Sequence, residues 1–196
     1  MTNMKKISYL YLILTLPLVL FSCQTMQQRG TSVSREITGT PVLSEQQLTQ
    51  YFMFKNPSAD KKQVQRLARL YIQEGAYEGI NSDVAFAQMC LETGYLTFGN
   101  LVVPEMHNYC GLGAIDAEHP GETFATEQLG VRAHIQHLHA YATKDIPLNN
   151  ECIDTRYKYV NPRGKSPTIE GLAGTWAADK SYAVKLEQLL VRLESF

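Results

Sequence analysis

The sequence predicts a mostly α-helical domain of the α+β class, with one small lobe that contains β-structure. Apolar residues recur at helical spacing in several segments between residue 44 and the C-terminus. Between two of these segments, residues 100–124 are rich in Gly, Pro, Asn and His, which favours a loop or a small hairpin. About 150 residues follow position 43, and no internal repeat is visible. This length is typical of one domain with its own core.

The first two predicted helices are marked at their N-termini. Ser44 and Gln47 form a capping-box pattern before a short helix that contains Leu48, Tyr51 and Phe52. The second helix has Asp60 as its predicted N-cap and Gly75 as its predicted end. Its apolar positions recur at helical spacing, and they are Val64, Leu67, Ala68, Tyr71 and Ile72.

The third predicted helix is apolar on nearly all sides. Asn81, Ser82 or Asp83 caps its N-terminus, and Gly94 closes it. Its apolar residues are Val84, Phe86, Ala87, Met89, Cys90 and Leu91. Because a helix without a polar face has no side to turn to water, we expect it at the centre of the fold.

Two further helices are predicted in the C-terminal half. The first contains Val131, Ile135, Leu138, Tyr141 and Ala142, and Pro147 with the pair at 149–150 interrupts the pattern. A turn follows at 161–164. The last helix contains Tyr182, Leu186, Leu189, Leu190 and Leu193.

The N-terminus indicates export. Lys5 and Lys6 precede an apolar run at 7–21, which is short for a membrane-spanning helix of about 20 residues. Residues 20–23 (Leu-Phe-Ser-Cys) resemble the lipobox of bacterial lipoproteins, which implies a signal peptide at 1–22 and lipid attachment at Cys23. The alternative is an ordinary secretory signal. Gln24 favours the outer membrane if the cell has two membranes, and residues 23–43, which are rich in Gln, Thr, Ser and Arg, are predicted to form a flexible tether.

Charge and cysteine usage exclude some classes of protein. The formal net charge is −1 with scattered basic residues, so the sequence does not predict a nucleic-acid-binding surface. Cys90, Cys110 and Cys152 remain if Cys23 is acylated. A Cys90–Cys110 disulfide is open, although small buried thiols are the preferred interpretation.

The histidines do not predict a metal site. His134, His137 and His139 cluster on one helix but lack a metal-binding spacing such as HExxH, and no metal or organic cofactor is expected.

Glu92 is the candidate catalytic residue, because it is an acid at the end of an otherwise apolar helix. Loss of hydration and the negative end of the helix dipole would both raise its pKa. A raised pKa suits a general acid that protonates a leaving oxygen near neutral pH. The residues alone are equally compatible with a solvated helix end.

Two motifs, taken with weaker matches that follow in order, resemble the bacterial glucosaminidase family (glycoside hydrolase family 73). The motifs are Glu92-Thr93-Gly94-Tyr95 and Asn108-Tyr109-Cys110-Gly111-Leu112-Gly113-Ala114. The weaker matches include Phe124, residues 130–138, 163–167 and 172–177, and Tyr182. The resemblance implies a lysozyme-like glucosaminidase domain over 44–196.

The resemblance also implies a function. It implies an endo-β-N-acetylglucosaminidase that cleaves the bond between N-acetylglucosamine (GlcNAc) and N-acetylmuramic acid (MurNAc) in peptidoglycan glycan strands, at the cell envelope. Glu92 would be the proton donor, and Tyr182 would be a catalytic-site residue near the cleft that stacks on a sugar or orients the substrate. Five residues would bind substrate, namely Tyr95, Asn108, Tyr109, Gly111 and Trp176, although core packing is an equal interpretation for Trp176.

The second catalytic carboxylate is open. Asp116, Glu118, Glu122 and Glu127 all lie in or near the window where some family members carry it, and Glu122 is the first candidate because it precedes the Phe124 region. The substrate's own acetamido group could replace such a residue.

Three alternative functions remain open. They are a lytic transglycosylase, a non-catalytic glycan-binding lipoprotein, and a cysteine peptidase with Cys110 as nucleophile and His137 as base, for which no third orienting group is evident.

Overall fold

The computed structural model describes residues 32–196 and has the predicted mostly helical architecture. The signal peptide and Cys23 lie outside the described residues. The helices are α1 Glu45–Lys55, α2 Lys61–Glu78, α3 Ser82–Glu92, α4 Glu127–Ala142, α5 Ile169–Leu172 and α6 Tyr182–Leu193. The small lobe between α3 and α4 contains the antiparallel strands β1 Ala114–Asp116 and β2 His119–Pro120. Short 3-10 turns lie at Pro104–Met106 and Tyr157–Tyr159.

The predicted caps begin three of the helices. Ser44 and Gln47 form the full capping box at α1, and the Asp60 side chain accepts a hydrogen bond from the backbone N–H of Lys62 at α2. Of the three candidates at α3, the N-cap is Asn81, whose side chain accepts from the Asp83 N–H at 3.0 Å. These side chains satisfy N–H groups that have no partner within the helix.

The prediction that Gly75 ends α2 is wrong. The helix continues to Glu78, and Gly79, with a φ of 69°, is its left-handed C-cap. A Cβ atom at Gly75 would lie 2.7 Å from the backbone oxygen of Ile80. Gly75 therefore permits a close approach between the helix and the chain that follows it. In the sequence, a glycine needed for close packing cannot be distinguished from a glycine that ends a helix.

The prediction that α3 is central is confirmed. Every residue from Ser82 to Cys90 is buried, and α1, α2, α4 and α6 all pack against the helix. Phe86 contacts Phe52 of α1 and Tyr71 of α2 edge to face, with ring centroids 6.2 and 5.8 Å apart. The last turn of α3 is therefore held rigidly by the core.

The three cysteines within residues 32–196 are all free thiols. Cys90 and Cys110 are buried, as preferred from the sequence, whereas Cys152 is exposed.

Among residues 32–196, none of the helices is both long enough and apolar enough to cross a membrane.

The predicted tether differs from the structure over its C-terminal part. Val33, Ile37 and Leu43 are buried in the main core, at most 5% exposed. The Ile37 N–H donates to the Pro167 carbonyl at 2.9 Å, and the Ile37 carbonyl accepts from the Asn81 N–H at 2.8 Å. The folded domain therefore includes residues 33–43. The few apolar residues of this polar segment follow no sustained period that could have predicted this packing.

One arginine attaches this N-terminal segment to α6. The Arg35 guanidinium binds Glu187 at 2.6 Å and also binds Glu194, and its side chain is only 23% exposed. Glu194 accepts a further hydrogen bond from the Val33 N–H at 2.9 Å. Bidentate, partly buried pairs of this kind are stronger than ordinary surface pairs.

We expect Arg35→Ala to lower the free energy of unfolding by about 1–3 kcal/mol, because it leaves Glu187 without its ion-pair partner and Glu194 with only the Val33 N–H. The matched control is Arg69→Ala, which removes the exposed pair with Glu45 and should lower the free energy of unfolding much less. Urea denaturation at equilibrium compares the two variants. Equal losses would contradict a structural role for the Arg35 cluster.

Candidate active site

The candidate site is built around the carboxyl group of Glu92, the last residue of α3. Its Oε1 atom accepts a hydrogen bond from the Trp176 Nε1–H at 3.0 Å and a second, short one from the Tyr182 hydroxyl. Trp176 lies between α5 and α6, and Tyr182 is the first residue of α6. The end of α3 and the segment from Trp176 to Tyr182, which are distant in sequence, therefore meet at one carboxyl oxygen.

The electrostatic balance at Glu92 favours its protonated form. Burial raises the pKa of Glu92 above its ordinary value, and the hydrogen bonds from Tyr182 and Trp176 offset only part of this increase. The position at the C-terminal end of α3 adds the negative end of the helix dipole in the same direction. The direction predicted from the sequence is thus confirmed, and Glu92 can keep a proton at higher pH than an exposed glutamate.

Glu92 lines a cavity of about 290 Å³ between the helices and the small lobe. Asn108, Cys110, Gly111 and Ala114 form the wall on the lobe side. The remaining lining residues are Thr93, Phe98, Asn100, Leu101, Val102, Trp176 and Ala177. Because the cavity combines a half-buried carboxyl with aromatic and apolar walls, it can hold a small, partly apolar ring next to an acid.

The chain that leaves Glu92 has an unusual backbone. Tyr95, Leu96 and Phe98 all have positive φ angles, of 57°, 60° and 52°, which are uncommon for residues other than glycine. The Thr93 hydroxyl accepts from the Leu96 N–H at 2.9 Å and helps to hold this conformation. The left-handed turn directs the segment into the cavity wall, and such strain is frequent at functional sites.

Three predicted substrate-binding residues line the cavity, and two of them, Gly111 and Asn108, belong to the small lobe. Gly111, with a φ of 65°, turns the chain at the wall. The Asn108 side chain forms its hydrogen bonds within the small lobe. It donates to the carbonyls of Leu112 and Glu122 and accepts from the Leu112 N–H, at 2.9–3.0 Å. Asn108 therefore shapes the wall, and its amide is already hydrogen-bonded within the lobe.

Two other predicted substrate-binding residues lie elsewhere. Tyr109 is 1% exposed and belongs to the main core, so the prediction that it contacts sugars is wrong. Tyr95 lines a separate cavity with Tyr51, and the two hydroxyl groups are 2.7 Å apart. Alternating residues after a helix end can face either way, and the positive φ angles turn Tyr95 away from the cavity at Glu92.

Trp176 combines the two roles that the sequence left open. Its ring packs against His137 and Tyr141, each with centroids 5.2 Å apart, while its N–H donates to Glu92 and its side chain lines the cavity. The indole is therefore a partly packed wall of the site.

The four loop acids differ in their surroundings. Glu127 is bound to Arg66 and Gln63, and Asp116 accepts hydrogen bonds from the backbone and ring of His119 in the hairpin turn. Both have structural partners. Glu118 is exposed in the same turn.

The Glu122 side chain packs within the small lobe and does not line the cavity. It lies along Gly113. Its role as a second carboxylate stays a prediction.

The geometry does not favour the cysteine peptidase. Burial, together with the nearby carboxylates of Glu92 and Asp154, raises the pKa of the Cys110 thiol, the opposite of what a nucleophile needs. His137 does have an orienting group that the sequence did not reveal, since its Nδ1 lies 2.7 Å from Asp154. Within residues 32–196, however, the hydrogen bonds of His137 do not include one to Cys110.

Sequence reasoning missed three polar residues behind the site, Gln88, His134 and Tyr71. Gln88 donates to the Tyr182 hydroxyl at 2.8 Å, and its oxygen lies 3.0 Å from His134 Nε2. The Tyr71 hydroxyl lies 2.8 Å from His134 Nδ1. One signal was present: Gln88 precedes Glu92 by four residues, which places both on one face of α3.

Comparison with known proteins agrees with this geometry. The Glucosaminidase family model, described as mannosyl-glycoprotein endo-beta-N-acetylglucosaminidase, matches residues 68–195. An uncharacterized protein of Borreliella burgdorferi is 43% identical over 146 residues, which is 74% of this chain and 71% of the relative.

Solved structures show the same fold. A catalytic mutant of S. aureus Autolysin E in complex with the disaccharide NAG-NAM has a TM-score of 0.50 at 15% identity, over 84% of this chain and 72% of that chain. Autolysin E in complex with the muropeptide NAM-L-ALA-D-iGLU has a TM-score of 0.52 at 14% identity, over 84% and 73%. The predicted lysozyme-like fold is therefore confirmed, and the chain belongs to the Glucosaminidase family.

Proposed function

We propose that the protein is an endo-β-N-acetylglucosaminidase that hydrolyses the β-1,4 bond between GlcNAc and MurNAc in peptidoglycan. The observation that carries the proposal is the half-buried carboxyl of Glu92, which lines the cavity and has a raised pKa. Family membership and the NAG-NAM disaccharide bound by Autolysin E support the same substrate class.

In the proposed reaction Glu92 is the general acid. Its proton passes to the glycosidic oxygen as the bond from the GlcNAc anomeric carbon to that oxygen breaks, and the MurNAc hydroxyl leaves. Two donors already occupy Oε1, so the transferable proton belongs on Oε2. Water then completes hydrolysis and returns a proton to the carboxylate.

The nucleophile is proposed to be the acetamido oxygen of the same GlcNAc, which closes onto the anomeric carbon and is later displaced by water. This proposal is supported by the surroundings of the loop acids, because Asp116 and Glu127 are engaged with His119 and Arg66. A lytic transglycosylase would instead use a MurNAc hydroxyl and leave an anhydro end, so the two reactions differ in their products.

We also propose that the protein is a lipoprotein of the cell envelope, anchored at Cys23, and in the outer membrane where two membranes exist. The sequence at 20–23 supports this proposal. Among residues 32–196, Val33 is the first that is buried in the core, so about ten residues would separate the anchor from this point of the domain. A fully extended chain of that length reaches roughly 35 Å, which limits the enzyme to peptidoglycan close to the membrane surface.

We expect Glu92→Gln to lower the rate of peptidoglycan cleavage by about 10²–10⁴-fold, because glutamine cannot donate the proton. Mass spectrometry of digested peptidoglycan should show that wild type produces reducing GlcNAc ends. Reducing or anhydro MurNAc ends would refute the proposed bond specificity.

The controls for this experiment are Asp116→Asn, Glu118→Gln, Glu122→Gln and Glu127→Gln. Each should reduce the rate less than Glu92→Gln does. If one of them is as damaging while the protein stays folded, substrate assistance fails and that residue is the base or nucleophile.

Anchoring can be tested without the catalytic residues. We expect Cys23→Ser to prevent lipid attachment and to leave the protein either uncleaved or soluble, while its domain still cuts purified peptidoglycan. Metabolic labelling with a fatty-acid analogue provides the direct readout. Unchanged labelling and partitioning would contradict the lipobox interpretation.

A further inference from the structure

A line of buried polar side chains runs from Glu92 into the core and crosses four helices. Tyr182 of α6 bonds Gln88 of α3, Gln88 bonds His134 of α4, and His134 bonds Tyr71 of α2. All four side chains are at most 5% exposed, and three are fully buried. Burying several polar groups is unfavourable unless each of them is hydrogen-bonded. These four side chains are therefore held in one specific arrangement by the fold.

The donors and acceptors along this line fit one direction. The Tyr71 hydroxyl donates to His134 Nδ1, the His134 Nε2–H donates to the Gln88 oxygen, and the Gln88 amide donates to the Tyr182 oxygen. Tyr182 is then left to donate its hydroxyl proton to Glu92 Oε1. Every bonded hydrogen in this arrangement has an acceptor.

The opposite set of donors and acceptors leaves the Tyr71 hydroxyl hydrogen without an acceptor. It would make His134 Nδ1 the donor to Tyr71, and the Tyr71 hydroxyl hydrogen would then need another acceptor. Among residues 32–196, His134 is the hydrogen-bond partner of that hydroxyl. A buried hydroxyl hydrogen without an acceptor is unfavourable, so Tyr71 sets the direction of the line.

The state of His134 agrees with this direction. Burial, with His137 close by, lowers the pKa of His134 to about 3, so the ring is neutral and carries one proton. One ring nitrogen is therefore a donor and the other an acceptor, as the line requires.

We propose that Tyr71, His134 and Gln88 are positioning residues that hold the Tyr182 hydroxyl proton on Oε1 of Glu92 and thereby reserve Oε2 for the catalytic proton. The inference rests on the proposed function of Glu92 as general acid. In the reverse arrangement, a protonated Glu92 would donate from Oε1 to Tyr182, and its proton would face the core. The buried line thus decides which carboxyl oxygen carries the proton to the substrate.

The test compares two buried tyrosines. Tyr71→Phe removes the hydroxyl at the far end of the line. Tyr51→Phe is the control, because Tyr51 is fully buried and, within residues 32–196, its hydroxyl bonds only that of Tyr95. We expect Tyr71→Phe to lower kcat about 3–10-fold at unchanged KM, and Tyr51→Phe to leave kcat within about twofold of wild type. Equal kcat values for the two variants would overturn the proposal.

A double-mutant cycle separates positioning from general destabilisation. If Tyr71 acts through Tyr182, Tyr71→Phe should have no further effect on kcat in a Tyr182→Phe background. A full, additive effect in that background would overturn the proposal.

A measurement independent of activity keeps this inference distinct from the proposed function. In ¹⁵N NMR spectra of histidine-labelled protein, His134 should be neutral with the proton on Nε2 in wild type, and Tyr71→Phe should shift its tautomer signals. A wild-type Nδ1–H tautomer would overturn the inference. Wild type that fails to cut peptidoglycan, with His134 in the expected tautomer, would instead refute the proposed function and with it the catalytic role of the line.

Discussion

The site depends on one constraint, the burial of the Glu92 carboxyl at the end of a helix that is itself buried on all sides. Desolvation makes the protonated form favourable, and two donors on Oε1 fix the orientation of the group. Neither effect is available to a carboxyl on a surface loop. Rigid packing of α3 against four other helices therefore has a chemical consequence, because it keeps water from one side of the acid.

The two parts of the fold contribute differently to the site. The helices supply the acid and the groups that hold it, since Tyr182 and Trp176 come from opposite sides of the turn before α6. The lobe supplies a wall, which Asn108 organises through its hydrogen bonds to Leu112 and Glu122. Cleft enzymes commonly place the chemistry on rigid elements and shape the pocket with loops. The division here follows that rule.

The features of the fold and the site that depend on short sequence patterns could be predicted. Caps at Ser44 and Asp60, the apolar helix α3 and the isolated acid Glu92 are all short-range patterns with a physical meaning. Long-range placement could not be predicted. The orientation of Tyr95 depends on a left-handed turn, Tyr109 packs in the main core, and Arg35 connects residues 33–43 to the distant helix α6. The buried line behind Tyr182 could not be predicted because its members are far apart in sequence and lie on four different helices.

The fold raises the pKa of the Glu92 carboxyl, which favours the protonated form that acid catalysis needs. This pKa can be measured directly by ¹³C NMR titration of protein labelled at the glutamate carboxyl carbon, with the Glu92 resonance assigned by its loss in Glu92→Gln. We expect an apparent pKa above the ordinary glutamate value of 4.5. A Glu92 carboxyl that titrates at or below 4.5 would contradict this expectation, because the group would then be ionised wherever the enzyme has to donate a proton.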